Sequence, residues 1–388
     1  MNVSANESPV PLFPKEPSVG GWGSLAVFDD LLRWMVAQGA SDVKLLPTGP
    51  VMLAVSGQWW AVTRAAPSSG DIASLVDSAS RRANTSARVA GGKSEDFSYE
   101  VAREAGDRRS GHLRFRCNAT ACMTGRGAGV SLTLRAIPDR VPRLSEIGIP
   151  DELREHLFPA HGLVSISGVM GSGKTTTLAA IIEAIRTQDR RAVMTLEKPI
   201  EFDYTNIPGA LGPIEQIEVP RMIESFSEGI VSATRKAANV LLVGETNDRT
   251  TMEAMIHAAE IGISVYHTIH TQSVSAIPGR IIHQFGADEA PGIAASFLGA
   301  CRVLIQQRLV PKVGGGRVAL REWLALDDGM RQILVDTPIE KLYVRIEGML
   351  KEAGRPLLTE AAAAHAQGLI DDRVLNQIKR EKERRHVV

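Results

Sequence analysis

Between residues 163 and 182 the chain reads LVSISGVMGSGKTTTLAAII. Glycines, a lysine and hydroxyl side chains at this spacing are suited to holding phosphate. Gly168-Val-Met-Gly-Ser-Gly173-Lys174-Thr175 fits G-x-x-x-x-G-K-[ST]. Gly168, Gly171 and Gly173 let the backbone wrap closely, so that successive N–H groups face phosphate oxygens. A helix starting at the lysine adds its positive end to the same anion. Lys174 is expected to reach the β- and γ-phosphates, and the Thr175 hydroxyl to sit on Mg²⁺. Ser172 and Thr176 complete the expected nucleotide-binding run. By average residue usage such a pattern arises in about one chain in a hundred of this length. Here it also sits between a strand-like and a helix-like stretch, the context that chance matches lack.

Hydrolysis of a bound triphosphate needs a carboxylate near the metal and a group to orient or deprotonate water. The run NVLLVGE ends an apolar strand at Gly244 and Glu245, placing Glu245 where α/β sheets bind ligands. Glu245 is thus a candidate Mg²⁺ ligand, directly or through water. A second acidic cluster lies in VMTLEKPIEF, where Glu197 ends a strand and Pro199 prevents a helix. Glu197 and Glu201 therefore flank a bend, and either is placed to hold an attacking water.

In YHTIHTQS, His267 and His270 fall on opposite faces of a strand, which argues against a two-histidine metal site. One of them at a strand end is a candidate sensor of the γ-phosphate. In HLRFR, alternation puts Arg114 and Arg116 on one strand face, and Arg135 ends the next strand. An ordinary solvated sheet face accounts for such arginines. Stabilisation of nucleotide charge, including that of an adjacent subunit, accounts for them too.

The elements that must carry these groups fall into two sets. Residues 1–24, rich in Pro, Ser, Gly and Asn, are expected as a flexible lead-in. Phe28, Leu31, Leu32 and Met35 recur at helical spacing up to Gly39. Strand-like DVKLLP and VMLAVSGQWWAV follow, then a helix through IASLVDSASRRA, then EDFSYEV, GHLRFRCNAT and GVSLTLRAI as strands. This predicts an α+β domain over 25–137. Four residues, Pro138, Pro142, Gly148 and Pro150, mark 138–150 as a linker. Over 151–335 apolar strands alternate with helices, predicting a parallel sheet with strands at 163–167, 192–197, 240–244, 264–269 and 302–306. Residues 336–388 read as a helical tail, its charged end expected as a solvated helix.

The bulk composition is that of a globular protein: 388 residues, 44% hydrophobic, 23% charged, and 44 basic against 44 acidic side chains. A net charge of zero gives no field to attract nucleic acid or a membrane surface, so no direct DNA binding is expected. Three cysteines make no disulfide framework or zinc pattern. The N-terminal residues lack a signal peptide's basic start and apolar core, and no run is long enough to span a membrane. A cytoplasmic protein without a transmembrane segment is the expectation.

Taken in order, these pieces resemble the secretion-ATPase superfamily of PilT/VirB11-like type II and type IV secretion ATPases, over residues 25–345. GVMGSGKTTTLAAII is similar to its Walker A, TLEKPIEF to its Asp box, VLLVGETND to its Walker B, VYHTIHTQS to its His box and QQRLVP to its Q-R-L segment. RFRCN and LTLRAIP resemble its arginine-bearing strands. The looser boxes resemble the branch holding DotB of type IVB secretion and TraJ of IncI-type conjugation. Lys198 stands where the Asp box has aspartate, Asn247 where Walker B has arginine, and Ile263 where the His box has its first histidine.

The resemblance implies a PAS-like N-terminal domain followed by a RecA-like P-loop domain with a helical C-terminal tail. It implies Glu197 as general base, Glu245 as Walker B acid, His270 as the His-box histidine, and Arg114, Arg116 and Arg135 as inter-subunit arginines. It implies a homohexameric Mg²⁺-dependent ATPase at the cytoplasmic face of a membrane-associated secretion or conjugation complex. A PilT-type retraction motor, a non-hydrolysing nucleotide-dependent scaffold and a DNA-pumping ATPase are the alternatives that the residues leave open.

Overall fold

Leucines, isoleucines and valines placed every second residue on strands and every third or fourth on helices give this chain one core in its first unit and three hydrophobic clusters in its second. A computed structural model describes residues 10–17, 21–55, 58–82, 84–125, 127–138 and 140–385. Two compact units result, residues 1–139 and 140–388.

In the first unit, α1 (Leu25–Ala37) precedes β1 (Asp42–Leu45), β2 (Met52–Val55) and β3 (Gln58–Ala61). Then come α2 (Ser69–Ser80), α3 (Thr85–Ala90), β4 (Glu95–Glu104), β5 (Asp107–Thr124) and β6 (Gly127–Ile137). The strands form one antiparallel sheet in the order β3-β2-β1-β6-β5-β4. Phe28, Leu31, Leu32 and Met35 bury one face of α1, as their spacing predicts. Helix α2 starts at Ser68, whose hydroxyl accepts from the Asp71 N–H while the Asp71 carboxylate accepts from the Ser68 N–H. The flexible lead-in expected over 1–24 is corrected where it is described. Val10, Phe13 and Trp22 are buried in this core, and the Phe13 N–H donates to the Val62 carbonyl. Three apolar side chains outweigh the turn-rich composition around them. Residues 1–9 and 18–20 of that stretch lie outside the described residues.

The second unit runs through α4 (Asp151–Arg154), β7 (Gly162–Ser167), α5 (Lys174–Gln188), β8 (Val193–Glu197), β9 (Ile214–Glu218), α6 (Phe226–Arg235) and β10 (Val240–Val243). It continues with α7 (Arg249–Glu260), β11 (Ser264–Ile269), α8 (Ile277–Ile282), α9 (Ala290–Ala300), β12 (Cys301–Pro311) and β13 (Arg317–Ala325). It closes with α10 (Asp328–Val335), α11 (Ile339–Ala353), α12 (Leu357–Ala366) and α13 (Asp372–Arg385). The sheet order is β13-β12-β7-β11-β10-β8-β9, parallel throughout except for the antiparallel β12–β13 pair. Alternate residues feed opposite cores: Leu163, Leu241, Val243 and Val265 go to one, and Val164, Ile166, Val240 and Leu242 to the other. A sheet covered on both faces must be apolar on both, which is why β7, β8, β10 and β11 are buried along their whole length.

Three expectations change here. Residues 140–150 are no free linker: Val141 and Leu144 are buried with Leu153 and Leu157 in the second unit's core. Strand β9, an edge too polar to stand out (IEQIE), and strand β13 were not anticipated. The C-terminal region is docked instead of solvated. Val374, Leu375 and Ile378 of α13 pack with Val310 and Leu320 of β12 and β13, so its charge density hides a narrow apolar stripe.

One buried carboxylate fastens this region. Glu322 on β13 accepts from the Val274 N–H at 2.9 Å and the Leu357 N–H at 3.3 Å. Glu322→Ala leaves both donors without that partner and is expected to destabilise the second unit by roughly 2–4 kcal/mol. Urea unfolding followed by Trp323 fluorescence checks this, because the other four tryptophans lie in the first unit.

Candidate functional site

Parallel register brings the C-terminal ends of four strands to one sheet edge. Ser167 pairs with Ile269, Val243 with His267, and Val243 with Leu196. Gly168, His270, Gly244 and Glu197 therefore leave the sheet on the same side. The turn from β7 into α5 is the glycine loop. Its glycines do different work. A Cβ on Gly168 would strike the Gln307 carbonyl oxygen, and Gly173 holds φ +85° as the helix N-cap. Gly171 also has positive φ.

Within the loop, the Lys174 ammonium donates to the Gly168 carbonyl at 2.8 Å and the Val169 carbonyl at 3.2 Å. Burial lowers its pKa, and the Glu245 charge opposes that shift. His270 Nδ1 donates to the same Gly168 carbonyl at 3.2 Å, so the His-box histidine touches the loop directly. Its ring is exposed, whereas His267 is fully buried on the other face. Gln307 Nε2 donates to the Ser172 carbonyl at 2.7 Å, bracing the loop from β12.

A narrow cleft beside the loop is lined by Thr175, Glu197, Lys198, Pro199, Glu201, Tyr204, Gly244 and Glu245. The structure thus places both expected acids and Thr175, the residue after the loop lysine, along one cleft. Glu245 is half-buried and accepts from Asn247 Nδ2 at 3.0 Å. Glu197 is 3% exposed, and its Oε1 accepts from Thr195 Oγ1 at 2.7 Å and Gln216 Nε2 at 3.3 Å. Desolvation pushes its pKa to about 7, against hydrogen bonds from Thr195, Gln216 and the Glu201 N–H.

Triphosphate and Mg²⁺ fit these residues. The loop ends in a helix N-terminus, and the buried Ser172 hydroxyl has no hydrogen-bond partner among the described residues. No cluster of three or more His, Cys, Asp or Glu side chains among the described residues could hold a metal alone. A hard cation held by one or two protein oxygens and completed by phosphate matches the set Thr175 and Glu245.

In the first unit, Arg114, Arg116 and Arg135 lie on the outer face of the sheet, away from buried Leu113, Phe115 and Cys117. Arg116 faces Arg135 across β5 and β6. Arg114 pairs with Glu100 at 3.1 Å and Arg135 with Asp42 at 2.8 Å. All three share one face, two of them beside carboxylates.

Sequence reading missed a buried polar chain. His267 Nε2 lies 2.6 Å from Ser165 Oγ, and its Nδ1 lies 3.1 Å from Thr246 Oγ1. Desolvation lowers the His267 pKa to about 3, so the ring is neutral and carries one proton between two hydroxyls. It fixes Thr246, the residue after Glu245. The only sequence signal for it is two polar residues at buried strand positions, Ser165 and His267, and a threonine just past the end of β10. Gln216, Tyr204 and Gln307 were also missed, because β9 was not foreseen and the QQRLVP run shows its braces only once folded.

Residues 108–368 match the family described as type II/IV secretion system protein. The chain is 31% identical over 321 residues to the type IV pilus retractation ATPase PilT of Pseudomonas aeruginosa, covering 82% of this chain and 88% of that one. It is 28% identical over 331 residues to the type IV pilus ATPase PilU of the same organism, covering 82% and 77%. Its fold matches the ATPase DotB of Legionella pneumophila with TM-score 0.83 at 32% identity, over 96% of this chain and all of that one. The pilus retraction motor PilT with bound ADP matches with TM-score 0.76 at 25% identity, over 89% and 95%.

Burial of Glu197 has a consequence for stability. Its folded pKa of about 7 lies above the ordinary 4.5, so the folded state binds the extra proton between these values. Its contribution is complete below about pH 4.5 and is lost as pH rises through 7, by roughly 3 kcal/mol. Glu197→Gln is expected to flatten this decline, measured by chemical denaturation of the nucleotide-free protein from pH 4.5 to 8.

Proposed function

Because the chain belongs to the type II/IV secretion system protein family, we propose that it is an ATPase whose hydrolysis of ATP drives a type IVB secretion or conjugative transfer apparatus. The carrying observation is the convergence of Thr175, Glu197 and Glu245 on one cleft at the P-loop. The likeness to DotB along 96% of the chain favours the type IVB branch over a retraction motor.

Lys174 and the loop N–H groups bind the β- and γ-phosphates. Thr175 and Glu245 would hold Mg²⁺, which would supply positive charge against the phosphates. Glu197 accepts the proton of the attacking water: a carboxyl with a pKa near 7 is matched to proton transfer at neutral pH. Thr195 and Gln216 fix its orientation. His270, held to Gly168, reads the state of the loop. The working form is a homohexamer at the cytoplasmic face of a membrane complex, with Arg114, Arg116 and Arg135 serving a neighbouring subunit's nucleotide. No helix among the described residues is long and apolar enough to cross a membrane.

Steady-state phosphate release tests this reading. Lys174→Ala and Glu245→Gln are expected to abolish it. Glu197→Gln should retain ATP binding and lose about 10²-fold or more in turnover. Binding without release by the assembled wild-type protein would leave the scaffold reading in its place. Rings mixed from Arg116→Ala and Lys174→Ala chains should regain part of the activity if the arginine acts across subunits; strictly additive loss would exclude a shared site.

A further inference from the structure

Arg321 on β13 is 1% exposed. Its Nε donates to Gln307 Oε1 at 2.8 Å, Nη1 to the Gly148 carbonyl at 2.9 Å and Nη2 to the Ile147 carbonyl at 3.0 Å. All three acceptors are neutral, and no carboxylate among the described residues forms an ion pair with it, although the Glu360 charge acts on it from farther off. A cation is costly to bury without an anion. Burial lowers this guanidinium's pKa only to about 10, so it stays charged at neutral pH.

Gln307 passes the charge on. Its Oε1 accepts from Arg321 and from Thr177 Oγ1 at 2.7 Å, which fixes the amide orientation and aims Nε2 at the Ser172 carbonyl, 2.7 Å away. The Ser172 carbonyl and the Gly173 N–H are the two ends of one peptide group. Hydrogen bonds in series polarise one another. The cation draws on Gln307 Oε1, the Nε2–H becomes a stronger donor to Ser172, and the Gly173 N–H becomes a stronger donor in turn. That N–H belongs to the loop that cradles phosphate.

We infer that Arg321 is a second cationic determinant of phosphate affinity, a positioning residue that acts on the P-loop through Gln307. Glu360 offsets part of its charge, and the bound nucleotide is the anion that the hydrogen-bonded chain leads to. This rests on the P-loop reading above. Bracing alone predicts a different phenotype: loss of Arg321 would lower the stability of the nucleotide-free protein and leave affinity unchanged.

The test uses the full chain, with ADP and ATP dissociation constants and the nucleotide-free melting temperature as readouts. Arg321→Met removes the cation while keeping an unbranched side chain. Affinity is expected to fall about tenfold, the value of one charge-assisted hydrogen bond, and further for ATP than for ADP. The nucleotide-free melting temperature should fall as well, because the Gly148 and Ile147 carbonyls and Gln307 Oε1 lose their donor, so the affinity loss in the folded variant is the readout that separates the inference from bracing alone. Gln307→Glu keeps the acceptor for Arg321 and Thr177, neutralises the cation and turns an oxygen toward the Ser172 carbonyl. Its affinity loss should be at least as large, with the fold held by the new ion pair, so it decides the matter should Arg321→Met not fold. Wild-type ADP affinity in either folded variant overturns the inference. If Lys174→Ala still abolishes binding in that case, the P-loop reading survives. If the wild-type chain itself binds no nucleotide, both fall.

Discussion

A parallel sheet buried on both faces has nowhere to put chemistry except at its strand ends. That constraint governs the second unit. Strands β7, β8, β10 and β11 carry apolar residues to two cores and release polar ones only where they stop. Four chain segments leave the sheet together, and the loop, two carboxylates and a histidine meet without any of them being close in sequence. Among the polar groups inside the sheet, Ser165 and His267 satisfy each other and Gln307 braces the loop.

Much of this was legible from the residues. The glycine loop declares itself because phosphate binding demands a fixed order of residue types. Glu197 and Glu245 were singled out because each ends an apolar run, and the second unit's five anticipated strands were read to within a few residues except for β12, which is longer. What escaped depends on packing between distant segments. Strand β9 reads IEQIE and shows no buried face, yet it supplies Gln216 to Glu197. Residues 140–150 look like a linker because prolines dominate them, whereas Val141 and Leu144 decide their placement. Helix α13 looks solvated because three apolar residues among many charges give a weak periodic signal.

The departures from the family's boxes are gentle in physical terms. Lys198 reverses a charge, but its side chain is exposed at the cleft, while the neighbouring Glu197 turns inward. Asn247 holds the Glu245 carboxylate through a neutral amide at 3.0 Å, where a guanidinium would have brought a positive charge. Both changes thus alter the electrostatics at the rim and spare the buried acid.

The Ser165–His267–Thr246 chain places a neutral, fully buried imidazole between two hydroxyls. Each hydroxyl has a further partner, Cys301 beside Ser165 and the Met255 sulfur 3.9 Å from Thr246 Oγ1. The ring depends on both neighbours: an apolar residue at position 165 or 246 strands one of its nitrogens. Lineages that keep the imidazole should therefore keep a hydroxyl at each end, while those that lose it are free to vary there, a one-way dependence left as the inherited trace of a single uncharged plug.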